Sequence, residues 1–175
     1  MKHLPLLLFY LFAGITNGTY AQDTETFFSK ADSFLKANVK EGRVAYKDIK
    51  SNPAELNELI ALAENISISK SDAKAYQAFW INAYNLLVIK SIVDNYPIAS
   101  PLDKAGFFDK NKHKVGGKEV TLNSIENDLL RAVFPDESRF HFVLVCAGLG
   151  CPPNIPAAYT SEKLEAQLQK QTEHA

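Results

Sequence analysis

The run from Tyr76 to Val93 constrains this chain more than any other. Phe79, Trp80, Ile81, Ala83, Tyr84 and Leu86 to Ile89 leave it almost no polar face. A helix that is apolar all round belongs in the interior of a domain. Ser69 to Asp72 offers a start signal and Pro97 a stop, which predicts one long buried helix over about 72–95. Yet Asn82 and Asn85 lie inside it, three apart and therefore neighbours on one side. Burying an unpartnered amide costs about 1–3 kcal/mol, so both side chains need partners. Three readings stand: the pair bonds a neighbouring loop or strand, it orients a catalytic group or lines a pocket, or it is simply exposed at the surface.

The rest of the pattern sets the layout. Phe27, Ala31, Phe34 and Leu35 have helical spacing and predict an amphipathic helix over 24–40, ended by Gly42. Arg43 to Tyr46 predicts a short strand. Asn52-Pro53-Ala54-Glu55 reads as a helix start with Asn52 as N-cap, Pro53 at the first position and Glu55 at the third. Leu56, Leu59, Ile60 and Ala63 then share one face. Residues 112–121 predict a hairpin turning on Gly116-Gly117, with His113 solvated on one arm. A helix from Thr121 or Asn123 to Phe134 would turn Leu122, Ile125, Leu129 and Val133 inward. Residues 140–146 are apolar on both faces and predict a central strand in a small sheet, and a last helix begins at Ser161. Helices early and strands late predict an α+β domain.

The N-terminus bears on where such a chain works. Lys2 precedes the apolar run Leu4 to Phe12, and Thr19 and Ala21 suit the −3 and −1 positions of a cleavage site. Residues 1–21 are therefore expected to be a signal peptide, with 22–175 a single α+β domain, periplasmic or secreted. No other stretch reaches the roughly 18 apolar residues of a transmembrane helix. Basic and acidic residues number 19 and 20, for a net charge of -1, which argues against a nucleic-acid partner. The pattern still reads as helix at Gln171 to Ala175, so the domain is expected to fray there or to be incomplete at its C-terminus.

The chemistry-bearing residues gather between Arg139 and Pro153. On an extended strand His141 shares a face with Arg139, Val143 and Val145, and Cys146 points the other way. Five strand residues separate His141 from Cys146 by about 16 Å, far beyond the reach of about 3 Å that a Cys–His dyad needs. Cys151 approaches the strand end if the chain doubles back over Gly148 to Gly150. The same reversal would set Cys146 and Cys151 opposite each other. In an oxidising compartment they would then form a disulfide worth about 2 kcal/mol on a chain-entropy estimate. Two reduced thiols, one of them reactive, and a redox-active pair are the other states. The spacing matches neither Cys-x-x-Cys nor a recognised zinc site, so no metal or cofactor is expected. Glu126 falls close to an inward stripe. There it either pairs with His141 or Arg139 across the core or closes a capping box with Asn123.

In order along the chain, the runs Phe79–Asn85, Val115–Arg131 and Arg139–Pro153 resemble the domain-of-unknown-function family 547 of bacteria and plants, over about residues 40–171. The resemblance implies an α+β domain of uncharacterised activity in chains that extend further, and it supplies no catalytic residues. The family pattern usually has a His where this chain has Asn127. Some relatives are fused to glutaredoxin-like domains, which implies thiol chemistry by association only.

Three functions fit these residues. One is a non-catalytic exported binding or structural module, in which Asn82, Tyr84, Asn85 and Arg139 help form a surface for a small molecule, peptide or protein. The second is a cysteine-dependent hydrolase or acyl-transfer enzyme, with Cys151 as nucleophile, His141 as base and Asn82 or Glu126 as orienter. The third is a thiol–disulfide exchange partner. Each requires the glycine-rich bend to fold the chain back on itself.

Overall fold

The computed structural model describes residues 16–148 and 150–173, with side chains from residue 22 onward. The expected leader thus lies largely outside the described residues, and its end opens the first helix, α1 (Thr16–Asn38). Phe27, Ala31, Phe34 and Leu35 are all buried, as their spacing predicts, and Phe28 joins them. A two-residue turn at Glu41 and Gly42, both with positive φ, links β1 (Val39–Lys40) to β2 (Arg43–Val44). Tyr46 does not extend that strand. It begins α2 (Tyr46–Ser51). Asn52 closes α2 rather than capping the next helix, α3 (Ala54–Glu64), whose cap position is Pro53.

Helix α4 (Ala73–Asp94) is the axis of the molecule. The Asp72 carboxylate caps it by accepting from the Ala75 N–H at 3.1 Å. Phe79, Ile81 and Leu86 are completely buried and Trp80 nearly so, because α1, α2 and α3 close over this helix on several sides. The hairpin β3 (His113–Val115) and β4 (Lys118–Val120) pairs in the expected register. Its turn has a second role. The Gly116 and Gly117 N–H groups donate to the Ala63 and Glu64 carbonyls at 2.9 and 2.8 Å, satisfying acceptors that the end of α3 leaves open. Gly116 also lets the turn approach the core: a Cβ there would lie 2.7 Å from the Trp80 ring. His113 is half-buried rather than solvated, and its Nε2 has no hydrogen-bond partner.

Two expectations need correction. After α5 (Leu122–Ser124), the chain continues as a π-helix over Ile125–Arg131. The wider turn replaces the expected Leu129 by Leu130 as the fully buried residue. The N-terminal capping box joins Thr121 to Ser124, not Asn123 to Glu126. The second correction concerns residues 140–146. They form no strand: Ser138–Phe142 is a 3-10 helix, and Val143 to Val145 pairs with no other strand. Phe140 and Val143 are buried because that helix packs into the core. The backbone groups of Val143 and Val145 that a neighbouring strand would take are held by a side chain instead. The last element among the described residues is α6 (Leu164–Glu173). Among the described residues the architecture is α+β, with helices dominating the N-terminal half and two small two-stranded sheets.

Two measurements check this packing. Gly116 and Gly117 both have φ in the left-handed region, but a Cβ at Gly117 meets nothing within 4 Å. In urea denaturation Gly117→Ala should lose about 1 kcal/mol, the backbone penalty alone. Gly116→Ala should lose at least about 2 kcal/mol, because it also overlaps Trp80. Burial holds the His113 pKa below its ordinary 6.5, against the Asp94 charge that favours protonation; Lys90 opposes it. A depressed pKa means that stability is full above about 6.5 and is lost as the pH falls through the folded pKa, because the unfolded imidazole takes up its proton first. The melting temperature should therefore drop between pH 7.5 and pH 5.5, and His113→Asn should flatten that drop.

Candidate functional site

The two asparagines of α4 build the site. Asn82 donates from Nδ2 to the Tyr159 carbonyl at 2.7 Å and accepts from the Tyr159 N–H at 2.9 Å. One turn away, Asn85 Nδ2 donates to the Val143 carbonyl at 2.9 Å and its Oδ1 accepts from the Val145 N–H at 2.9 Å. Each carboxamide thus presents one donor and one acceptor to a peptide backbone, as a neighbouring β-strand would. The segment from Val143 to Tyr159 is fastened at both ends to one buried helix. Further bonds reinforce the distal end: the Ala158 N–H donates to Asp32 Oδ1 at 3.1 Å, and Gln167 Nε2 donates to the Ala158 carbonyl at 2.7 Å.

Between these anchors the chain reverses. Ala147 has φ 56°, in the left-handed region, and Gly150 has φ 90°. The reversal brings Cys146 and Cys151 together with Cα atoms 5.9 Å apart, and the two sulfurs form a disulfide. The Pro152-Pro153 arm that follows rests on the β1–β2 turn. A Cβ on Gly42 would lie 2.6 Å from the Pro153 Cβ, so only glycine allows this approach.

The cystine forms a wall of two surface cavities. The larger, about 600 Å³, is lined by Ala99, Ser100, Pro101, Leu102, Phe108, Cys146, Ala147, Gly148 and Cys151, with no charged side chain. Leu102 stands at its edge, 81% exposed. The second, about 530 Å³, lies on the side of the β1–β2 turn, where Glu41, Arg43, Tyr46, Gly148, Cys151 and Pro153 help enclose it. Burial pushes the Tyr46 phenol up to about 12, so it stays protonated at neutral pH.

The remaining sequence-predicted residues lie elsewhere. His141 is exposed on the 3-10 helix, edge-on to Phe142, and lines neither cystine cavity. Glu126 accepts from Arg131 Nε and Nη2 at 3.1 and 3.0 Å. Both residues lie close to Tyr84, whose phenol is pushed up, first by burial and then by the Glu126 charge. Arg139 is shared between Glu137 and Glu165, joining the 3-10 helix to α6. These bonds hold the Glu137 carboxyl below the usual range. Neither Tyr84 nor Arg139 lines a cavity that the cystine borders. Among the described residues no three His, Cys, Asp or Glu side chains gather as a metal site would need. The cavity residues Leu102, Phe108, Arg43 and Tyr46 were not legible as site residues.

The family model described as "Protein of unknown function, DUF547" matches residues 68–174. The chain belongs to this family. The DUF547 match contains α4, the hairpin, the cystine loop and α6, so both asparagines and all the backbone they hold fall within it. Asn127, the position at which this chain departs from the family pattern, is exposed and bonds Asn123. No curated protein and no solved structure matches the chain.

The carboxamide anchors give a stability prediction. Asn82→Ala or Asn85→Ala leaves a buried N–H and a buried carbonyl without partners, and each should cost about 2–3 kcal/mol in urea denaturation. A loss below about 0.5 kcal/mol at either position would mean that its two bonds do not hold the loop.

Proposed function

We propose that this protein is a non-catalytic binding module, exported and oxidised, whose recognition element is the cystine-closed loop 146–151. The observation that carries the reading is the double carboxamide anchor: four buried hydrogen bonds fix a loop whose cystine walls an open apolar cavity. A fixed loop binds with little ordering cost. The cavity volume of about 600 Å³ lies within the range of small-ligand and side-chain pockets. Its uncharged lining of Leu102, Phe108, Pro101 and Ala99 disfavours phosphates and carboxylates and suits the apolar side chains of a peptide segment. The hydrolase alternative draws less support. The Cys151 sulfur is paired with Cys146, His141 lies outside both cystine cavities, and Glu126 is engaged by Arg131.

The test has two arms. Thiol labelling of the native protein should find no free cysteine before reduction and both after it; one fast-reacting thiol at Cys151 would favour the hydrolase. Selection from a random peptide library should enrich apolar and aromatic residues, and Leu102→Asp should weaken the selected peptides at least about tenfold, as loss of a buried apolar contact does. Failure to enrich any motif, or binding indifferent to Leu102→Asp, would overturn the module.

A further inference from the structure

The cystine has an attackable sulfur, and the two cavities determine which one. Cys151 borders both cavities, whereas Cys146 borders only the apolar one beside Phe108. Displacement at a disulfide proceeds through a mixed disulfide, at a rate set by which sulfur is attacked and by access to it. The nucleophile enters opposite the leaving sulfur. The cavity beside the β1–β2 turn is bordered by Cys151 and not by Cys146, so a thiol held there meets Cys151 first. Gly148 borders both cavities, and a Cβ there would sit 3.5 Å from Cys151 Sγ and 3.8 Å from Cys146 Sγ. Glycine at this position therefore adds no side chain of its own beside the sulfurs.

We propose that Cys146–Cys151 is a thiol–disulfide exchange site that accepts two electrons from a dithiol, with Cys151 as the attacked sulfur and the cavity beside Arg43 and Tyr46 as the entry. The first donor thiolate bonds to Cys151 Sγ, and the Cys146–Cys151 bond breaks with its electron pair on Cys146 Sγ. The second donor thiolate then attacks the donor sulfur of the mixed disulfide and expels the Cys151 thiolate. The donor leaves as a disulfide, the protein keeps two electrons, and the two protons given up by the donor pass through solvent to the two cysteines. Arg43 and Glu41 both stand at this entry and both are exposed. Their charges should therefore act with opposite sign on a charged thiol.

The site does not depend on what occupies the apolar cavity, so it can hold even if the peptide test fails. The experiment uses the oxidised full chain with glutathione, an anionic thiol, and 2-mercaptoethanol, a neutral one. Acid quenching, alkylation and peptide mapping then locate the mixed disulfide. It should form mainly on Cys151, with Cys146 alkylated. Arg43→Ala should lower the ratio of glutathione rate to mercaptoethanol rate about threefold, and Glu41→Ala should raise it by a similar factor, as exposed charges of this kind do. Gly148→Ala should slow both thiols alike without moving the urea midpoint. A mixed disulfide mainly on Cys146, a rate ratio unchanged by both charge variants, or no reaction until urea unfolds the protein would each overturn the proposal.

Discussion

The grip of two carboxamides on a peptide backbone is the interaction on which the rest of this structure depends. Asn82 and Asn85 sit on a helix that is apolar on every side, where an unpaired amide would be a heavy penalty. Both are satisfied entirely by backbone: Tyr159 for one, Val143 and Val145 for the other. The buried helix thereby does for the loop what a sheet does for an inserted strand. It supplies directional bonds in a low-dielectric setting, where they are strong and where leaving them unmade is costly.

That arrangement explains why the cystine loop can stay open to solvent and still be defined. Its ends are anchored from below, its proline arm rests on Gly42, and its middle is closed by sulfur. The strained backbone at Ala147 is tolerated because its surroundings over-determine it. The cavities on either side follow from this geometry. The apolar one is bounded by the Ser100–Leu102 turn and Phe108, and the mixed one by the β1–β2 turn. A single loop therefore presents two chemically different faces.

Much of the scaffold was legible from residues alone. The buried helix from 73 to 94, its two asparagines and the Gly116-Gly117 turn follow from spacing and chemistry, whereas the pairing of Cys146 with Cys151 was one of three states that spacing left open. The strand expected at 140–146 does not form. A near-continuous apolar run reports burial on two faces, and here burial comes from a 3-10 helix and a segment held by Asn85. The π-turn after Ser124 was equally hidden, since periodicity gives a face only if the residues per turn are known. His141 was placed by that same strand, so its expected approach to Cys151 lost its basis when the strand did. The cavity walls at Leu102 and Arg43 depend on contacts between distant segments, which spacing does not encode.

The anchoring account is tested most directly by amide hydrogen exchange at Val145 and Tyr159, whose N–H groups donate to the two asparagine side chains. Both amides should exchange as slowly as those in the middle of α4, opening only with global unfolding. Exchange at the rate of an exposed loop, with α4 still protected, would contradict it.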